Sequence, residues 1–395
     1  MAAGPIGPAP IPSERTTNTP MTGHATTKGL EGVVASETSL SFIDGDLGTL
    51  LYRGYDIHDL APSASFLESV YLLWNDRLPT RAELDAFESE IAALRRLDPA
   101  TLDVLRRLPK GTTPMAALRT AASVEGTTDP DSEDNSPEAN LRKARRLVAR
   151  FPAMIAAFHR IRGGHEPLDP DPGLSHSADF IRMANGEPGP PEAAASLDRT
   201  LLLYLDHGFN ASTFACRVIA ATLGDMHSAV VGGVGALKGA LHGGANARAM
   251  EMLLEIGSLD AAEGWLDRAL AEKRRVMGFG HRVYRTVDPR ARHLRDMSAE
   301  LTQQAGLEEY YRISRFLEDE MKARKGIDPN VDFYCATVYY ALGLPVDLYT
   351  PLFAAGRIAG WVAHVMEQHA DNRLIRPRAR YVGAMDREWV PIDRR

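Results

Sequence analysis

The sequence predicts a mainly α-helical protein with one small β-hairpin near its N-terminus. Two observations point there. Segment after segment places apolar residues three and four apart and several end on glycine, whereas only one stretch is rich in β-favouring runs. Strands do not alternate with helices along the chain, so neither a doubly wound sheet nor a barrel fits.

Residues 1–29 are rich in Pro, Thr and Gly and lack both an apolar signal core and an Arg-rich amphipathic pattern, so they read as a disordered arm. The hairpin is expected in residues 30–54, "LEGVVASETSLSFIDGDLGTLLYRG", where Asp-Gly and Leu-Gly pairs separate short β-favouring runs. Helices follow in "SFLESVYLLW" and "TRAELDAFESEIAALRRL", the second with Thr80 and Glu83 spaced as a capping box. The acidic stretch "EGTTDPDSEDNSPEAN" is expected to be an exposed loop with solvated charges, ahead of a helix through "LRKARRLVARFPAMIAAFHRI". Prolines in "EPGPPEAAASLDRTLLLYLDHG" sit where a helix start tolerates them. Later helices are expected in "ASTFACRVIAATLG", "MHSAVVGGVGALKGA", "ARAMEMLLEIG", "AAEGWLDRALAEKRRVMG", from Pro289 to Leu301, and in "LEEYYRISRFLEDEMKARKG", "FYCATVYYALG" and "TPLFAAGRIAGWVAHVMEQ".

A chain of 395 residues buries a substantial core and favours two or three lobes over one. Its net charge of -7 argues against a general nucleic-acid binder. The longest apolar stretch, Thr350 to Met366, carries Arg357 at its centre, so no membrane span is expected. Two cysteines, Cys216 and Cys335, make no disulfide framework and read as small core residues of a reducing compartment.

Four segments carry residues suited to chemistry. In "MGFGHRVYRTVDPR", His281 follows two glycines and precedes Arg282, Arg285 and Arg290. This is either an ordinary loop or a site for an anionic small molecule, since glycines allow close approach and guanidinium forks match carboxylates. "LHGGAN" sets His242 near a helix start, where it either caps the helix or stabilises an oxyanion. "PNVDFYC" places Asp332 before an aromatic helix, as an N-cap or as a partly desolvated base. "DHGFNAST" offers His207, with Ser212 and Thr213 as caps, and "FAAGRIAG" sets Arg357 among small residues that would make it costly to bury without an anion. "GVGALKG" follows no strand and supports no dinucleotide fingerprint, and "HVMEQH" does not have the HExxH spacing. A metal site from His242, His281 and Asp332 is conceivable, but their separations supply no spacing argument. Two histidines beside glycines, an aspartate and several arginines suit acid/base chemistry on a carboxylated substrate instead.

In their order, "LHGGAN", "MGFGHRVYRTVDPR", "PNVDFY" and "GRIAG" resemble the citrate synthase family, and the likeness runs from about Leu30 to "RPRARYVG". A bacterial-type cytoplasm is expected because no import signal is evident, and the resemblance implies a helical homodimer. Its large domain would comprise residues 30–241 and 343–395, and its small domain residues 242–342. It implies that Asp332 removes a methyl proton from acetyl-CoA, that His242 stabilises the enol or enolate, and that His281 polarises the ketone of oxaloacetate. His207, Arg290, Arg357 and Arg376 would bind oxaloacetate, with Arg376 reaching the site of the other subunit. Residues 273–278, namely Lys273, Arg274, Arg275, Val276, Met277 and Gly278, resemble the segment that meets CoA. Acetyl-CoA is then a cosubstrate, with no permanently bound cofactor and no metal. Propionyl-CoA is the rival acyl donor.

Overall fold

A computed structural model describes residues 28–395; the arm expected over residues 1–29 lies almost wholly outside them. Thr38–Ile375 form one compact unit. Residues 28–37 and 376–395 cluster separately, as largely exposed chain with a 3-10 turn at Lys28–Leu30 and another at Ile392–Arg394.

The main unit opens with β1 (Ser41–Asp44), β2 (Thr49–Tyr52) and β3 (Tyr55–Asp56). They form an antiparallel sheet in the order β1-β2-β3, with Asp44 opposite Thr49 and Leu51 opposite Asp56. The expected hairpin is therefore present but shorter, and a third strand extends it. Arg53 and Gly54, both at positive φ, turn the chain back sharply enough for Tyr55 to pair with Tyr52.

Sixteen α-helices follow among the described residues. The first ten are α1 (Ile57–Ser63), α2 (Phe66–Asn75), α3 (Arg81–Leu94), α4 (Pro99–Arg107), α5 (Pro114–Thr128), α6 (Pro137–Arg162), α7 (His176–Asn185), α8 (Pro191–Tyr204), α9 (Ala211–Ala220) and α10 (Met226–Leu237). The remainder are α11 (Ala245–Ile256), α12 (Leu259–Ala271), α13 (Pro289–Gln304), α14 (Glu308–Lys325), α15 (Val331–Ala341) and α16 (Tyr349–Ala370). The capping box at Thr80 and Glu83 forms as its spacing predicts. By contrast, α12 stops at Ala271 instead of continuing through "EKRRVMG", because Lys273 takes a positive φ that ends the helix.

Nearly all of α16 is buried, and it packs on α6, α8, α9 and α10. Its glycines make the close crossing with α8: a Cβ on Gly356 would lie 2.8 Å from the Leu201 carbonyl oxygen, and one on Gly360 would lie 2.8 Å from Asp206 Oδ1. Helices α11 to α15 pack chiefly through α13 on α15, α11 on α15 and α12 on α14.

The acidic stretch is a solvated loop only in part. Helix α5 runs to Thr128, and Glu125 and Asp129 are buried. Asp129 accepts from Arg146 Nε at 2.8 Å and Nη2 at 2.7 Å, and Asp131 accepts from Arg142 Nη2 at 2.6 Å. The buried Lys143 ammonium donates to the carbonyl of Asp134 at 2.6 Å. One basic face of α6 thus neutralises Asp129 and Asp131 and seats the turn, while Glu133, Asp134 and Glu138 are exposed as expected.

Candidate active site

Three chain segments converge on the site. His242 lies in the turn between α10 and α11, where Arg248 Nη2 donates to the carbonyls of Ala240 at 3.2 Å and Gly243 at 3.0 Å. Helix α11 itself begins at Ala245 with Gly244 as N-cap, so His242 is not the capping residue. Its Nε2 accepts the backbone N–H of Ser212 at 3.2 Å, and the Ser212 hydroxyl lies 2.7 Å away. That hydroxyl also accepts from Trp361 Nε1 at 3.1 Å and lies 2.8 Å from Asn210 Oδ1, so its single proton is shared between Asn210 Oδ1 and His242 Nε2. With Nε2 an acceptor, the network assigns the imidazole proton to Nδ1. Burial pushes the His242 pKa down to about 4, so the ring is neutral at pH 7.

Asp332 is the second residue of α15. The N-cap is Asn330, whose Oδ1 accepts the Asp332 N–H at 3.0 Å, so Asp332 is not the cap. The Asp332 carboxylate has no hydrogen bond among the described residues. Part of its surface stays open to a cleft although protein surrounds it densely, and this desolvation lifts its pKa to about 6 against the pull of Arg290. His242 and Asp332 line the same cleft of about 190 Å3, with Leu237, Thr350 and Phe353 as further walls.

The third segment is the glycine turn before His281. Gly278, at φ +81, lets the chain lie against Phe333, since a Cβ there would sit 2.8 Å from the Phe333 Cβ. Residues 278–281 are zipped to the segment that leads into α15. Asn330 N donates to Gly278 O at 2.9 Å, Gly280 N to Asp328 O at 2.9 Å, and Asn330 Nδ2 to Gly280 O at 2.8 Å. His281 Nδ1 accepts the N–H groups of Val283 and Tyr284, each at 3.0 Å, so the proton of the neutral ring sits on Nε2. Burial and then Arg290 push its pKa down to about 4.

Arg290 and Arg357 supply buried positive charge. Asp288, the N-cap of α13, grips Arg290 through Nε at 2.9 Å and Nη2 at 2.8 Å and also accepts Val331 N–H at 3.1 Å. Arg357 Nε donates to the Tyr204 carbonyl at 2.6 Å, while its terminal nitrogens make no hydrogen bond among the described residues. Burial lowers the Arg357 pKa to about 10, which leaves it charged. The buried His207 ring lies 5.2 Å from His281, and its Nε2 is 3.1 Å from the Tyr284 hydroxyl. Arg290 acts electrostatically on Asp332, His281 and His207, and Arg357 acts on Asp332, His242 and His207. Six of the expected residues therefore share one field: two neutral imidazoles, a poised carboxylate, a third histidine and two guanidinium groups.

The other expected residues lie elsewhere. Arg376 is exposed and belongs to the separate cluster of residues 28–37 and 376–395. Lys273, Arg274 and Arg275 are exposed after α12. Arg274 is paired with Glu255 and stacked on Trp265, whereas Lys273 and Arg275 have no ion-pair partner among the described residues. Val276 and Gly278 are buried and Met277 is half-buried.

Ser212, Trp361, Tyr284 and Asp288 are positioning residues that sequence reasoning missed. Ser212 stood out only as a possible cap, a role Asn210 takes through Oδ1. The Asp-Pro pair at the start of α13 was the available signal for Asp288. His364 and His369 are structural: the first meets Asp206 at 3.3 Å and the second Asn140 at 3.0 Å. Cys216 and Cys335 are buried and free. No group of three or more His, Cys, Asp or Glu side chains among the described residues is arranged to hold a metal ion. Among the described residues, no helix is long and apolar enough to cross a membrane.

A citrate synthase from Haloferax volcanii is 50% identical over 374 residues, which is 93% of this chain and 98% of that protein. A 2-methylcitrate synthase from Corynebacterium glutamicum is 40% identical, over 93% of this chain and 98% of its own. The solved ternary complex of Thermoplasma acidophilum citrate synthase with carboxymethyl-CoA and oxaloacetate superposes with a TM-score of 0.88 at 34% identity, covering 94% of this chain and 100% of that one. The sequence model described as "Citrate synthase, C-terminal domain" matches residues 29–378, and with identities of this size over nearly the whole length, the chain belongs to the citrate synthase family.

Proposed function

We propose that this protein condenses acetyl-CoA with oxaloacetate and hydrolyses the resulting citryl-CoA to citrate and CoA, as a cytoplasmic homodimer serving the tricarboxylic acid cycle. The observation that carries the reading is the shared cleft, in which an unpaired carboxylate of raised pKa faces a neutral histidine. A thioester methyl proton is weakly acidic, so its removal by Asp332 needs a donor at the thioester oxygen as charge develops there. His242, protonated on Nδ1, is that donor. The enol carbon then attacks the ketone of oxaloacetate, and His281 delivers its Nε2 proton to the ketone oxygen as the carbon–carbon bond forms.

Arg290, Arg357 and His207 hold the two carboxylates of oxaloacetate, and Arg376 joins them from the other subunit. Residues 242–342 form a small domain that closes on the large one, a division supported by the packing of α11 to α15 among themselves. The exposed Lys273 and Arg275 are the natural contacts for CoA phosphates, while Arg274 is already engaged by Glu255.

Relatives named for 2-methylcitrate favour a second reading, with propionyl-CoA as acyl donor. An added methylene changes binding by only about 1–3 kcal/mol, so the two are separated by rate and not by fold. The test is kcat/KM with oxaloacetate and each thioester. A preference for acetyl-CoA of about ten-fold or more is expected, and a preference for propionyl-CoA would overturn the assignment.

A further inference from the structure

His281 stands on a loop with little burial of its own: Arg282, Val283, Arg285, Thr286 and Val287 are all exposed. Its imidazole is fixed only by amides of that same loop. Residues 278–281 are zipped to the segment before α15, whereas the residues after His281 are braced from far away in sequence, at the tip of the hairpin between β1 and β2. The Gly45 carbonyl accepts the Arg285 N–H at 2.8 Å. A Cβ on Gly45 would overlap the Val283 carbonyl oxygen, so only glycine permits this approach. Beside it, a Cβ on Gly48 would sit 2.8 Å from Thr286 Cγ2. Asp46 also pairs with Arg285 at 3.1 Å, but both side chains are mostly exposed and the pair contributes little.

The hairpin is itself shaped and anchored. Asp44 Oδ1 accepts the N–H groups of Asp46 at 2.9 Å and Leu47 at 2.8 Å, which sets the tip. At the base of the sheet, the Ser41 hydroxyl donates to Asp206 Oδ2 at 2.5 Å and the Tyr52 hydroxyl to the Asp206 carbonyl at 3.2 Å, beside His207. One small sheet thus joins the segment of His207 to the loop of His281.

We propose that the hairpin tip is the positioning element for His281, with Gly45 seating the loop so that the Val283 and Tyr284 amides hold the imidazole in its proton-donating tautomer at the ketone. This rests on the role proposed above for His281. It assigns the hairpin tip a part in one step only: the tip touches the loop of His281, whereas Asp332 and His242 stand on α15 and the turn before α11.

That selectivity is the test. Gly45→Ala is expected to lower kcat for condensation about a hundred-fold, the cost of a displacement near 1 Å, with KM for oxaloacetate within about two-fold. Malate keeps both carboxylates of oxaloacetate but has no ketone. With malate bound, exchange of acetyl-CoA methyl protons into deuterium oxide should stay within about two-fold of wild type in the same variant. Equal loss of exchange and condensation, or no loss of either, overturns the proposal. If Gly45→Ala does not fold, Asp44→Ala loosens the tip without a clash and should slow condensation about ten-fold while sparing exchange; the same two contrary results count against it. His281→Asn is the reference. If it loses exchange together with condensation, the role of His281 fails and the inference falls with it. If it loses condensation alone while Gly45→Ala and Asp44→Ala lose neither, only the hairpin inference is overturned.

Discussion

At the scale of single residues, Asp332 concentrates the cost and the use of the site. Its pKa rises from 3.8 to about 6 because burial disfavours the charged form. In the proposed mechanism the ionised carboxylate is the base, so kcat/KM should rise with pH along an acid limb centred near 6; a profile flat down to pH 4 would remove Asp332 from that role. The linkage to stability has the opposite sign. A carboxyl whose folded pKa exceeds its unfolded value leaves stability intact below about pH 4 and erodes it as pH rises through 6. Asp332→Asn should therefore abolish activity and yet stabilise the fold by on the order of 2 kcal/mol at pH 8, with the gain vanishing at pH 4. Paired urea titrations of the two proteins at both pH values check this. Asp332, His242 and His281 were legible in the sequence because each sits in a short segment with its own glycine, proline or asparagine signal. Ser212 and Trp361 were not, because the bond that fixes the His242 tautomer joins positions 30 residues apart, and the Trp361 indole reaches Ser212 across 149.

At the scale of elements, the close crossing of α16 with α8 decides where Arg357 points. Gly360 faces the Leu205 carbonyl and the Asp206 side chain with no space for a methyl group. Gly360→Ala should destabilise the protein by about 1–3 kcal/mol through overpacking. It should also raise KM for oxaloacetate, since moving α16 outward drags Arg357 from the Tyr204 carbonyl. Unchanged unfolding and unchanged KM would show that the crossing relaxes freely. The helical repeat made most such elements readable, and α3 even showed its cap. Among the helices that escaped, α1 spans seven residues and contains Pro62, α4 has only two buried residues, and α5 ends in a Thr- and Glu-bearing segment that looks like loop. The acidic turn after α5 misled for a related reason. Its charges look solvated until α6 is laid against it with Arg142, Lys143 and Arg146 on one side.

At the scale of the whole molecule, the open question is how many chains make one site. Within Thr38–Ile375 the cleft already has its base, its two neutral histidines and two guanidinium groups, whereas Arg376 lies outside that unit and is exposed. Asp288 already pairs with Arg290, so the two guanidinium groups leave a dicarboxylate substrate short of one positive charge, and the proposed dimer has a partner chain bring it. Such an arrangement makes an unusual demand on mixed dimers. Asp332→Asn and Arg376→Ala should each be nearly inactive alone. In a hybrid of the two, the site built on the Arg376→Ala chain keeps its own Asp332 and receives Arg376 from its partner, so it is whole. The opposite site lacks both. Random exchange of equal amounts makes about half the dimers hybrid with one working site of two, and about a quarter of wild-type activity should return. If Arg376 serves its own chain, one site of the hybrid lacks the base and the other lacks the arginine, and nothing returns. Mixing the two variants under conditions that exchange subunits, then assaying CoA release against each unmixed parent, separates these outcomes.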